Sequence, residues 1–541
     1  MINYLKLKQM KNKTIYILSL VALVFLQVSC SQDFLELEPK TGQVEANYYQ
    51  NEEQALLAVA AVYDAYSVQN WQFVPTMSDI FSDDAFCGGS NISDMSQWQD
   101  MEMFKMGAEN NSASDLWNRC YSGIYRANLY LQKQDNVAWA TEGMKERLEA
   151  ETLFLRAYFY WDLVRHYGYT PIITEVLPSV EDYKNLPQNT PEELFTQIAS
   201  DLLKAVAVLP VTVSADETGR ITKGAVQALI ARIYLYHEGF AKPVMGVGNW
   251  SDGTTTIDKT YAQNALEAVI ISEAYDLVPD YAELWSWDNQ NNEESILEIQ
   301  YSDKAKSGDW GGWNINGNFS CVWVGVRNPD GDNGRLFPGW SFSVPTWSLL
   351  NEFEAGDPRK EVTLYDAETK LNDYTRAFMN TGYFNNKFMA LNAYIGSGGD
   401  ANHNFPRNFM DIRYADVLLM AAELFLTDNP SKSLGYFNKV RTRAMGTGAA
   451  KGAITLDDIY HERRVEFGLE GLRKWDLLRR GNNYAGQKIN DSFNVPADVP
   501  NPSHFTPRTF KADTWGMFPI PASELRNTNQ GVLQQMVPAY K

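Results

Sequence analysis

The sequence is poor in the residues that hold metals and drive catalysis. Among 541 residues there are four cysteines and five histidines. Cys30, Cys87, Cys120 and Cys321 never fall at the short spacing of a zinc site, and the histidines are scattered. With Cys30 set aside three remain, so at most one disulfide can form. No H-E-x-x-H pair, phosphate-binding loop, complete dinucleotide fingerprint or G-x-S-x-G elbow is present. Asp330-Gly-Asp332-Asn-Gly334 opens like a calcium loop, but Ser341 stands where the loop needs its closing Glu, so a turn is expected. No cofactor is expected, and calcium has no further support. Basic residues are outnumbered 47 to 67, and a net charge of −20 argues against a nucleic-acid partner, which needs clustered Lys and Arg. After residue 30 no apolar run is long enough to cross a bilayer.

What is present is an ordinary core with many rings. Apolar residues make up 45% of the chain and aromatics 13%, including 15 Trp and 29 Tyr. Helical periodicity recurs. Asn51 to Tyr66 carries Ala55, Val59, Val62 and Tyr66 in step, and Leu116 to Gln132 brings Trp117, Tyr121, Ile124 and Asn128 onto adjacent turns. Lys145 to Tyr167 buries Leu148, Leu155, Phe159 and Leu163 and stops at Gly168. At this spacing Tyr158, Tyr160, Trp161 and Tyr167 read as core more than as a ligand platform. Thr190-Pro-Glu-Glu193 is a strong helix start, and helices over 223–239 and 261–275 follow. Between the helices of 51–66 and 116–132, Ser67 to Ser114 has no clear period and reads as a surface stretch.

The first thirty residues read as an address. Lys6, Lys8, Lys11 and Lys13 form a basic region, and Ile15 to Leu26 is a nearly unbroken apolar run. That run is too short to span a bilayer and suits a signal peptide, residues 1–29. Cys30 follows it as the expected site of lipid attachment, although Gln27 stands where Leu is usual in a lipoprotein signal. Removing the four lysines would take the net charge from −20 to −24. Met10-Lys-Asn-Lys13 also reads as an initiation site.

Asp411 to Gly481 is the most regular part of the chain. Tyr414, Val417, Leu418, Ala421, Leu424 and Phe425 share one face, and Asp428-Asn-Pro430 ends the helix. A second helix carries Leu434, Phe437, Val440 and Ala444, and Thr455-Leu-Asp-Asp458 opens a third. That third helix mixes apolar residues with Glu462, Arg463, Arg464, Glu466, Glu470, Arg473 and Asp476. Opposite charges three and four apart read as an internal ion-pair network in preference to a catalytic cluster. Paired helices of this kind build α-solenoids. The predicted fold is therefore mainly α: a tetratricopeptide-like helical-repeat scaffold over about 40–278 and 400–541. A loop-rich insertion over about 279–399, with short strands such as 294–300, interrupts it.

The insertion holds seven of the fifteen tryptophans, Trp285, Trp287, Trp310, Trp313, Trp323, Trp340 and Trp347, set among Gly, Asn, Asp and Ser. Off any helical stripe, several are expected at a surface, where an indole can cover the C–H face of a sugar ring. Each stacked ring would contribute about 1.5–2 kcal/mol for about 60–80 Å² covered. Trp98, Trp310, Trp313, Trp323 and Trp340 are the candidate ligand contacts.

Three runs, RYADVLLMAAE, NKVRTRA and HERRVEFGLEGLRKWDLLRRG, resemble the C-terminal signature of the SusD-like (RagB/SusD) outer-membrane nutrient-binding lipoproteins. So do LRAYFYWDLVRHYGYTPIITE, the Asp33-Phe34-Leu35 segment after Cys30, Glu352-Phe353, Asp357-Pro-Arg359 and the tail from Met517, in matching order. The resemblance implies a non-catalytic, lipid-anchored protein of the outer-membrane surface. Such a protein captures oligosaccharides and passes them to a SusC-like TonB-dependent transporter. The alternatives are a peptide-binding member of the same family and a glycoside hydrolase, since 67 acids leave many possible carboxylate pairs.

Overall fold

Polar residues placed ahead of apolar stripes set where the helices begin. In the computed structural model, which describes residues 48–69, 72–304, 315–397 and 399–541, the Asn51 side chain accepts from Gln54 N–H to start α1 (Glu52–Ser67). Asn110 caps α2 (Asn111–Lys133), and α3 (Met144–Tyr167) ends at Gly168 with φ +73°. Thr190 and Glu193 close a reciprocal capping box on α4 (Pro191–Val208). Thr222 caps α5 (Lys223–Tyr236) and Asp258 caps α6 (Lys259–Ile271). Then come α7 (Tyr414–Phe425), α8 (Pro430–Met445), α9 (Leu456–Phe467) and α10 (Arg473–Arg479).

Each helix from α1 to α8 packs on the next, and α6 packs directly on α7. The stack is thus continuous in space although the chain leaves it after Ile271 and returns at Tyr414. The four strands that position this excursion are β1 (Ala85–Gly88), β2 (Ser295–Ile299), β3 (Phe342–Pro345) and β4 (Phe409–Arg413). β2 and β4 pair antiparallel with Leu297 opposite Ile412, which ties the outgoing limb of the excursion to the returning one. β1 pairs antiparallel with β3, Phe86 opposite Val344, and so joins the N-terminal half to the excursion. The fold is mainly helical with a few short strands.

Two expectations need correction. The stretch 67–114 is not a surface loop. It holds short helices Val74–Phe81 and Ser96–Glu102 and strand β1, and most of their side chains are buried. Its helices are too short to show a period. The third helix of the C-terminal region is two, α9 and α10, broken by Gly468–Leu472. Gly471 has φ +79°, and a Cβ there would lie 2.4 Å from Cα of Pro75. The helix breaks because this backbone touches another backbone.

The charges of that region lie inside, as an ion-pair network. Arg413, almost fully buried, donates to Glu294 (2.6 Å), Glu466 (2.7 Å) and Glu470 (2.9 Å). Arg359 donates to Asp357 (2.8 Å), Glu462 (2.5 Å) and Glu466 (3.0 Å). Burial alone would raise the Glu466 carboxyl; the guanidiniums of Arg443, Arg413 and Arg359 overcome it and hold the group far below its usual range. Arg413 sits on β4, Arg359 in the excursion and Glu466 on α9, so the network fastens excursion to scaffold.

Cys87, Cys120 and Cys321 are free and buried. No helix among the described residues is long and apolar enough to cross a membrane.

Candidate functional site

The excursion is built without long helices, so its small polar residues cannot fill an interior. Indoles do it instead, since each buries about 150–250 Å². Trp98 and Trp323 are 0% exposed. This corrects the expectation that they face outward; both lie behind the surface. Trp285 and Trp287 are also buried, and Trp347 is half-buried against Phe86 and Phe505. Of the five candidates, only Trp340 is described at a half-buried position that leaves part of the indole open. Trp310 and Trp313 lie outside the described residues, as do residues 1–29 and Cys30.

The buried indoles are not idle. Trp98 meets Trp323 edge-on with centroids 5.3 Å apart. Trp323 meets Phe319 at 5.0 Å, and Phe319 meets Trp340 at 5.2 Å and 86°. Four rings thus run from the core to the half-open Trp340. Its backbone N–H donates to Val322 O (2.9 Å), and its carbonyl accepts from Arg327 Nη2 (2.6 Å). An indole backed this way is preorganised, which lowers the ordering cost of binding.

Three residues before Trp340, Phe337 opens a second branch. It packs on Phe405 at 5.2 Å, which meets Trp287 at 6.1 Å. Trp287 stacks on Tyr394 at 4.8 Å and 19°, and Tyr394 donates to Asp288 Oδ2 (3.0 Å). The Arg407 guanidinium lies 5.5 Å from the Trp287 ring and donates to the Ser286 and Trp285 carbonyls, each at 3.1 Å. Burial depresses its pKa, and Cys321 and Glu298 offset this only in part. Phe337 and Tyr394 are half-buried, and Asn392 beside them is exposed. Trp340, Phe337 and Tyr394 are thus three part-buried rings of the excursion, the last hydrogen-bonded to the Asp288 carboxylate and two residues from the exposed Asn392 amide. Phe337, Trp287 and Tyr394 were not among the candidates read from the sequence. Their one signal is that they too are aromatics in a stretch of Gly, Asn and Asp without period.

Among the described residues no three His, Cys, Asp or Glu side chains are placed to hold a metal ion. Asp332 Oδ2 accepts from Tyr365 Oη and Arg335 Nε, both at 2.9 Å, so the calcium-like stretch uses this acid in local contacts.

A continuous helix stack that carries an excursion filled with aromatic rings defines the class of fold. Similarity to known proteins gives its family. Residues 33–235 match the family described as "Starch-binding associating with outer membrane", and residues 360–540 match the SusD family. A SusD-like protein of Bacteroides ovatus is 28% identical over 493 residues, covering 87% of this chain and 82% of the relative. Among solved structures, a laminarin-binding SusD-like protein is 30% identical with a TM-score of 0.76, covering 89% of this chain and 98% of the other. Surface glycan-binding protein A from Bacteroides thetaiotaomicron, in complex with laminarihexaose, is 26% identical with a TM-score of 0.75, covering 90% and 99%. The chain belongs to the SusD-like family.

Proposed function

We propose that this protein is a glycan-binding lipoprotein of the outer-membrane surface. The observation that carries the proposal is whole-length similarity, at 30% identity, to a laminarin-binding protein of the same fold. The part-buried rings of Trp340, Phe337 and Tyr394 support it, because such rings with amide and carboxylate neighbours suit the apolar face and hydroxyl rim of a sugar. Trp310 and Trp313, from the same aromatic-rich stretch, are proposed to complete the contact. Two or three stacked rings would give weak to middling affinity after ordering costs, at about 1.5–2 kcal/mol each. Loose capture suits a protein that hands its ligand on. The proposed recipient is a SusC-like TonB-dependent transporter, and the proposed anchor is lipid on Cys30 after removal of residues 1–29. The protein acts as a binder and not as an enzyme in this reading, in keeping with relatives named for starch and glycan binding.

Titration of the lipid-free mature chain with laminarin, starch and other glycans, alongside peptide pools, tests this by tryptophan fluorescence and calorimetry. Saturable glycan binding without release of reducing ends is expected. Binding of peptides alone, or steady release of reducing ends by pure protein, overturns it.

A further inference from the structure

Gly325 and Gly339 are glycines for want of space and not for conformation. Neither has a positive φ. A Cβ on Gly339 would lie 2.3 Å from both Cα and the carbonyl carbon of Gly325, and one on Gly325 would lie 3.1 Å from Gly339 Cα. Non-bonded carbons normally sit about 3.5–4.0 Å apart, so the two backbones touch with nothing between them.

This approach lets the turn after the short helix Ser320–Trp323 bind the segment that carries Trp340. Gly339 N–H donates to Val326 O (2.7 Å), Trp340 N–H to Val322 O (2.9 Å) and Ser341 N–H to Gly325 O (2.9 Å). Arg327, from the same turn, donates to Trp340 O (2.6 Å). On the far side Gly89 N–H donates to Ser341 O (2.7 Å), and Phe342 pairs with Gly88 at the end of β1. The segment is therefore gripped between a turn of the excursion and a strand from the N-terminal half. An edge-on ring contact tolerates sliding and tilting, whereas a hydrogen bond weakens steeply off line. The rings under Trp340 support it, and the backbone fixes it.

Strain marks the same place. Ser341, directly after Trp340, has φ +57°, and Ser343 has φ +52°. A left-handed backbone is disfavoured for any residue with a Cβ. Both serines are buried, and their hydroxyls have no hydrogen-bond partner among the described residues. Such a conformation persists only where the surroundings over-determine it. Here Gly325 does so from one side and Gly88 from the other, where a Cβ would lie 2.2 Å from Ser341 O.

We infer that Gly339 and Gly325 are positioning residues of the glycan site: their backbone contact sets where the Trp340 indole stands before ligand arrives. This rests on the glycan-binding reading with Trp340 as a contact, and adds two residues that act through it. A methyl group between the two backbones must push Trp340 aside, and a preorganised contact loses affinity when displaced.

The test is a double-mutant cycle on the mature chain, read by calorimetry with the glycan that binds it, laminarin first. Gly339→Ala is expected to weaken binding about fivefold, and to change it by less than about twofold when Trp340→Ala is already present. Gly325→Ala, whose contact is looser, is expected to cost about twofold to threefold, again only with Trp340 in place. A merely structural role gives the same loss in both backgrounds. Should Gly339→Ala fail to fold, the cycle on Gly325→Ala decides in its place. Native affinity in the glycine variant, or an equal loss with and without Trp340, overturns the positioning role while the glycan reading stands. Native affinity in Trp340→Ala overturns it too, since no contact is then left to position. Failure of every glycan to bind the native protein removes both.

Discussion

Trp98 and Trp323 touch edge to face, 5.3 Å between centroids, and neither indole reaches solvent. Their place is behind Trp340, so the ring proposed to meet ligand and the rings that hold it steady are different residues. Separate effects on affinity and stability follow. Trp340→Ala should weaken glycan binding about tenfold or more, with a small change in melting temperature. Trp98→Ala and Trp323→Ala should each cost about 3–5 kcal/mol of stability, the usual range for emptying a buried aromatic site. Calorimetric titration beside urea unfolding separates the two classes.

Arg413 joins three carboxylates, Glu294 from one part of the chain and Glu466 and Glu470 from another. Arg413→Met keeps length and removes charge, leaving Glu294, Glu466 and Glu470 short of a partner in the interior. A loss of about 3–5 kcal/mol is expected. Urea unfolding of the native and Arg413→Met proteins checks this.

His461 on α9 clasps the excursion. Its Nδ1 lies 2.7 Å from Glu352 and its Nε2 3.3 Å from Glu354. The hydrogen bond to Glu352 comes first among the causes that raise its pKa; burial opposes it, and Glu462 and Glu354 add to it. Arg464 and Arg441 face the same carboxylates. A raised folded pKa means the charged clasp stabilises in full below pH about 6.5 and fades as pH rises through the folded value. His461→Gln should cost about 1 kcal/mol at pH 5.5 and less at pH 9. Glu352, pushed down to about 2, gives the opposite limb: its contribution is present above its unfolded pKa and lost toward that value. Melting curves of the native and His461→Gln proteins across pH read both limbs.

Gly471→Ala tests the break between α9 and α10. The left-handed backbone and the approach to Pro75 both disfavour a side chain. A loss of about 2 kcal/mol or more is expected, against about 0.5 kcal/mol for Gly448→Ala, where nothing lies within 4 Å. Thermal denaturation decides it.

Three- and four-residue periodicity, with the caps at Thr190 and Thr455, carried the helices of the scaffold because both signals are local. The alternating charges of 462–476 carried the ion network for the same reason: ions at that spacing on a mainly apolar helix need partners nearby. Which side of the aromatic-rich excursion faces water was not local. An indole amid Gly and Asn can plug a loop or greet a ligand, and composition is the same in both cases. Contacts from far along the chain made the choice, with Trp98 brought against Trp323 and Trp287 against Tyr394. The helix break at Gly471 was decided likewise, by Pro75, a partner that no window of neighbouring residues contains.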